Sequence, residues 1–137
     1  MEFPTYIIPD NIELFCVKAK SFPDDVLNAH QTLHTLIPFS EQRKYFGISR
    51  PENGGGIVYR AAAEELKKGE LSSHNLEQFT IKKGQYIYVD IPNFMDKHQE
   101  IGKTFQLLLK DPRIDPQGAC IEWYVNKTDC KCMVKII

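Results

Sequence analysis

Apolar and polar positions alternate along residues 12–19 and again along 85–91, the period of a half-buried strand. After each run the period becomes helical. Val26, Ala29, His30, Leu33, Leu36 and Ile37 form one stripe, and His98, Ile101, Gly102, Phe105, Leu108 and Leu109 form a second. The stripes superpose at an offset of 72 residues (26 to 98). The same offset relates Ser21-Phe22-Pro23-Asp24 to Asn93-Phe94-Met95-Asp96, each with an N-cap type three positions before an aspartate. Each helix then meets a proline, Pro38 or Pro112, and after it come two short β-rich runs, 43–49 with 57–63 and 119–125 with 130–136.

The chain therefore reads as two copies of a β-α-β-β unit, about 12–63 and 79–137, joined by the polar stretch 64–78. Neither copy is large enough to cover its own sheet face, so the expected architecture is one α+β domain over residues 1–137. It should hold an antiparallel-rich sheet with two main helices on one face and pseudo-twofold symmetry between the halves.

Alternation also sorts the second half into faces. Ile87, Val89 and Ile91 lie on one side of their run, suited to the helices, and Tyr86, Tyr88 and Asp90 on the other. In the later run Ile121, Trp123 and Val125 separate from Cys120, Glu122 and Tyr124. Glu122 stands out. A carboxylate among such neighbours either points to water or is buried, where without a partner it is costly or has its pKa raised. If buried, Glu122 with Tyr86, Tyr88, Tyr124 and Tyr59 would make an acid-and-aromatic pocket suited to an organic cation, since ring faces attract positive charge and the carboxylate supplies the counter-ion. Trp123 is a further candidate ligand-binding aromatic.

The balance of the chain changes this picture by exclusion. With 137 residues, 17 basic against 18 acidic groups and a net charge of −1, no long-range field draws in nucleic acid. No apolar run is long enough to span a membrane, and residues 1–9 lack the pattern of an export signal, so the expected location is the cytoplasm. Cys16, Cys120, Cys130 and Cys132 are then expected to be reduced thiols. His30 and His34 have helical ligand spacing but no evident third ligand. Cys130-Lys131-Cys132 does not fit zinc-knuckle spacing, and Gly54-Gly55-Gly56 precedes a β-rich run as in a hairpin turn rather than a phosphate loop. Neither metal nor cofactor is expected.

The chain resembles the GyrI-like effector-binding superfamily, especially its free-standing, integron-cassette-associated members. The residues that carry the resemblance are Tyr45-Phe46-Gly47-Ile48-Ser49, Ile57-Val58-Tyr59-Arg60-Ala61-Ala62, the run from Phe79 to Tyr86, Asp111-Pro112-Arg113-Ile114-Asp115, Cys120-Ile121-Glu122-Trp123-Tyr124 and Cys132-Met133-Val134. It implies a ligand site near the pseudo-twofold axis. In members that end AraC-type or MerR-type activators the domain binds lipophilic cations, with a glutamate on a late strand facing an aromatic cage, and Glu122 matches that position. Such activators carry a helix-turn-helix region for which this chain has no room, so a role in transcription would act through a protein partner. The resemblance implies an effector sensor or sequestering module that is not an enzyme. Its alternatives are a hydrolase of strained-ring genotoxic compounds using Glu122 with Tyr124 or Tyr86, and a gyrase-inhibitor-like interaction module.

Overall fold

The computed structural model describes residues 3–52 and 54–137. Eight strands and two helices follow in the order β1 (Thr5–Ile8), β2 (Ile12–Lys18), α1 (Val26–Leu36), β3 (Tyr45–Glu52), β4 (Gly56–Glu64), β5 (Glu77–Ile81), β6 (Gly84–Ile91), α2 (His98–Leu108), β7 (Cys120–Tyr124) and β8 (Cys130–Lys135). The strands form one antiparallel sheet in the order β1-β6-β8-β7-β3-β4-β2-β5, curled into a half-barrel. Read outward from its centre, the sheet runs β3-β4-β2 one way and β7-β8-β6 the other. The α+β duplication expected from the 72-residue offset is therefore built around the β3–β7 pair.

Each copy carries one strand more than the sequence pattern suggested. β1 precedes β2 in the chain but pairs with β6, while β5 precedes β6 but pairs with β2. The unit is thus β-β-α-β-β, and each copy lends its first strand to the far edge of the other. Arg60 ties the borrowed β5 down: its guanidinium donates to Glu77 and to Glu52 and lies 5.9 Å from the Phe79 ring.

The helix starts differ from expectation. Ser21 and Asn93 do not cap the helices; α1 and α2 begin after Asp25 and Lys97, with no side-chain cap bond at either. Asp25 instead accepts the Lys20 N–H at 2.7 Å, and Asn93 takes a left-handed φ of 53° to open a single 3₁₀ turn, Phe94–Asp96. The helices are consequently short, at 11 residues each, and their stripes only partly buried. Ala29, Leu33 and Ile37 of the first stripe and Phe105 and Leu108 of the second enter the core, whereas Leu36 and Leu109 stay exposed.

Three apolar clusters result. One lies inside the curl and draws on all eight strands, from Ile8 and Leu14 to Phe46, Ile81, Tyr86, Ile121 and Met133. The others lie beneath α2, around Ile87, Ile91, Phe105 and Val134, and beneath α1, around Phe15, Leu33, Ala61 and Ala63. All four cysteines are free. Among the described residues no helix is long and apolar enough to cross a membrane.

Candidate functional site

Because α1 packs on β2 and β4 and α2 on β6 and β8, the central pair β3–β7 is left uncovered between them. A cleft of about 2050 Å³ opens there. Val26, His30 and His34 of α1 form one wall, and His98, Ile101 and Phe105 of α2 form the other. The strand register fixes the floor. Gly47 of β3 lies opposite Glu122, and Tyr45 opposite Tyr124, so the alternation of β7 turns Cys120, Glu122 and Tyr124 toward the helices.

Glu122 is buried, 8% exposed, and its Oε1 collects the site. Tyr59 donates its hydroxyl to Oε1 at 3.2 Å, and Tyr124 donates to the same oxygen. His30 Nε2 lies 2.7 Å from the Tyr59 hydroxyl oxygen. With both phenols donating to Glu122, the partner role left to His30 is that of donor, through an Nε2–H tautomer. The Tyr59 ring can reach Glu122 only because residue 47 is glycine: a Cβ there would stand 2.0 Å from the Tyr59 oxygen and 3.0 Å from Glu122 Oε1. Phenylalanines from the two β–α connections back the phenols. Phe22 stacks on Tyr59 at 5.9 Å and Phe94 tilts against Tyr124 at 5.2 Å. The two are 72 residues apart and so pseudo-equivalent.

Burial raises the Glu122 pKa, while the Tyr124 and Tyr59 hydrogen bonds and the nearby His98 oppose the rise. Burial likewise pushes both phenols well above their ordinary value, reinforced by the Glu122 charge. Burial, with a smaller contribution from His34, lowers His30 to about 4. Near neutrality the site thus comprises a neutral imidazole, two protonated phenols and one carboxyl group. Among the described residues no ion pair reaches Glu122. Arg43 and Arg50, which also border the cleft, are turned to Glu70 and Glu52.

Of the six candidates from the sequence, Glu122, Tyr124 and Tyr59 come together here. Tyr86, Tyr88 and Trp123 do not: they lie on the opposite face of the sheet, in or against the cluster inside the curl. The register gives the reason. Tyr88 pairs with Met133 and Met133 with Ile121, whereas Glu122 pairs with Cys132 and Cys132 with Val89. The aliphatic face of β6 and the acidic face of β7 are therefore the same face. The aromatics of the other face already have cations of their own, for Lys131 Nζ sits 3.8 Å from the Tyr88 ring centre and Lys44 Nζ 5.8 Å from that of Trp123. Tyr86 donates its hydroxyl to the Lys82 carbonyl at 2.6 Å. His30, Gly47, Phe22 and Phe94 were not among the ligand-binding candidates from the sequence. His30 read as part of an apolar stripe and as half of a pair with His34 at metal-ligand spacing, and its departure from an otherwise aliphatic pattern is the signal that could have marked it for the pocket.

No family model and no curated protein matches the sequence. Solved structures do match the fold. An integron cassette protein from the mobile metagenome of Vibrio cholerae superposes with a TM-score of 0.69 at 12% identity, over 98% of this chain and 95% of the other. A protein solved with bound tetraphenylphosphonium gives 0.65 at 12% identity, over 98% and 94%. A Staphylococcus aureus MU50 protein whose name assigns it to transcription regulation gives 0.59 at 12% identity, over 98% and 99%. At such identities the likeness is one of fold.

Proposed function

We propose that the chain binds a small lipophilic or aromatic cation in the cleft between α1 and α2, with Glu122 as counter-ion, and acts as an effector sensor or sequestering module of the GyrI-like kind. The observation that carries this reading is Glu122 itself. A buried carboxylate with two phenol donors and, among the described residues, no ion pair is a cost to the empty protein, and a cation entering the cleft removes it. The rings of Tyr59, Tyr124, Phe22 and Phe94 add attraction of about 0.5–2 kcal/mol where a ring face meets the charge. The fold likeness to a protein solved with tetraphenylphosphonium supports the choice of ligand class. That to a protein named for transcription regulation supports the sensor role.

Titration calorimetry with tetraphenylphosphonium and neutral triphenylphosphine oxide tests the reading. The phosphonium should bind and the oxide bind far more weakly, and Glu122→Gln should weaken only the phosphonium, by about 2–5 kcal/mol. Equal affinity of the variant and the natural protein for the phosphonium would sink it.

A further inference from the structure

The cleft has two unlike ends. Along its floor β3 and β7 pair antiparallel, from Tyr45 beside Tyr124 at one end to Ser49 beside Cys120 at the other, with Glu122 between them opposite Gly47. The first end carries a ring platform. Phe39 lies nearly parallel to Tyr45, with ring centres 5.3 Å apart and planes 9° apart, and His34 of α1 tilts against the two at 6.1 and 5.0 Å. Tyr45 is buried and its hydroxyl accepts the Ser40 N–H at 2.9 Å, so the loop that holds Phe39 is tied down. Tyr45 covers one face of the Phe39 ring, and since Phe39 is 55% exposed on the cleft wall, the other face is open.

The second end is aliphatic. α1 passes from Val26, next to the Phe22–Tyr59 stack, to His34 over Tyr45, which places Val26 at this end. Ile57 extends it past Ser49, through its pairing with Pro51, and Ala119 and Ile114 extend it past Cys120. Its two phenylalanines are engaged: Phe22 stacks on Tyr59, and Phe105, 7% exposed, packs beneath α2.

We propose that the cleft takes cations with two unlike arms, an aromatic ring that stacks on Phe39 and a saturated chain that lies among Val26, Ile57 and Ile114, with the charge between them at Glu122. The inference rests on the reading of the cleft as a cation site and names the shape of ligand it fits. The space supports it. The cleft, about 2050 Å³, exceeds the roughly 300–1,000 Å³ of a usual small-molecule pocket, so a compact cation at Glu122 leaves both ends unfilled. The ends then sort the arms by kind. A ring gains from offset stacking on an open ring face beyond the area it buries, a gain that a saturated chain does not share. A chain gains with every methylene taken out of water, and branched aliphatic walls supply that without a ring face.

Three quaternary ammonium ions test it by calorimetry: octyltrimethylammonium, naphthylmethyl-trimethylammonium, and naphthylmethyl-dimethyl-octylammonium, which carries both arms. The two-armed ion should bind at least about tenfold more tightly than either of the others. Phe39→Leu keeps bulk but removes the ring, and should weaken both naphthyl ions by about two- to tenfold while leaving octyltrimethylammonium unchanged. Ile57→Thr should weaken both octyl ions by about fourfold and leave the one-armed naphthyl ion unchanged. Both positions are exposed, at 55% and 43%, so both variants keep the fold, which thermal melts verify. A two-armed ion that binds no better than the tighter one-armed ion overturns the proposal, because the arms then compete for one place. So does a Phe39→Leu defect shared equally by octyltrimethylammonium, or a naphthyl ion weakened by Ile57→Thr and untouched by Phe39→Leu. Glu122→Gln separates the proposal from the reading beneath it. If that variant weakens all three ions while the arms go unsorted, the cation site stands and the two ends fall. Ions sorted by their arms but indifferent to Glu122→Gln uphold the two ends and overturn Glu122 as the counter-ion.

Discussion

A hydrogen on the α-carbon of Gly47 leaves the space in which the Tyr59 phenol lies. Any larger group takes it away, since an added Cβ would meet the Tyr59 oxygen at 2.0 Å and its ring carbon at 2.8 Å. The strand beneath is central and paired on both sides, so the phenol must move rather than the backbone. Gly47→Ala should therefore swing Tyr59 away from Glu122, cost about 1–3 kcal/mol of stability through overpacking, and weaken tetraphenylphosphonium at least as much as the loss of one hydrogen bond to the carboxylate. Denaturant melts and calorimetry of the same preparation read both effects. Unaltered phosphonium affinity in a folded Gly47→Ala protein would remove Tyr59 from the site. Gly102, on the wall of the same cleft, makes the contrast: a Cβ there meets nothing within 4 Å.

At the scale of elements, each helix has a flank that holds the sheet and a flank that faces the cleft. Leu33 belongs wholly to the first, at 0% exposure among Phe15, Ala61 and Ala63. Phe105 belongs to both, packed beneath α2 yet bordering the cleft. Leu33→Ala should lower stability by about 2–5 kcal/mol with phosphonium affinity retained under folded conditions, while Phe105→Ala should lower both. A Leu33→Ala protein that melts normally but no longer binds would reverse the assignment of flanks. The helices and six of the strands were legible in the sequence because their periods are long enough to register. β1 and β5 were not, being edge strands of 4 and 5 residues whose partners lie in the opposite half. Alternation also told which residues share a face of one strand, but not which faces of β6 and β7 coincide. That depends on the pairing of both with β8, and so the Tyr86 and Tyr88 rings were grouped with Glu122 although the sheet lies between them. Glu122 and Tyr124 were legible as a pair because they are two apart on one strand. His30 and Gly47 come from elsewhere in the chain and owe their place to the fold.

For the molecule as a whole, the duplication creates the cleft but the chemistry breaks its symmetry: one carboxyl group lies near the axis, and every polar group of the site converges on it. Its proton and the ligand's charge must then compete. Burial raises the Glu122 pKa, so in the empty protein the carboxyl contributes stability that is full below its ordinary value of 4.5 and is lost as the pH rises through the folded value. A bound cation favours the ionised form and draws that proton off. Affinity for tetraphenylphosphonium should accordingly rise with pH, by up to tenfold per unit below the folded pKa of Glu122, and level off above it. The groups of shifted pKa that face the carboxyl change charge at the edge of this range or beyond it. His30 from α1 is lowered to about 4, Tyr59 from β4 and Tyr124 from β7 are raised well above their ordinary value, and the Cys120 thiol of β7 is pushed up to about 11. Cys130 of β8 is likewise raised, by a hydrogen bond with the Cys132 thiol and by burial. His98 from α2 favours the ionised carboxyl, so its replacement is the control for a released proton. Calorimetry in two buffers of different ionisation enthalpy should detect proton release on phosphonium binding that is retained in His98→Gln and absent in Glu122→Gln. Binding of the phosphonium that stays independent of pH, with no proton released at any pH where the protein is folded, would mean that Glu122 is already ionised in the empty cleft and that its two phenol bonds outweigh its burial.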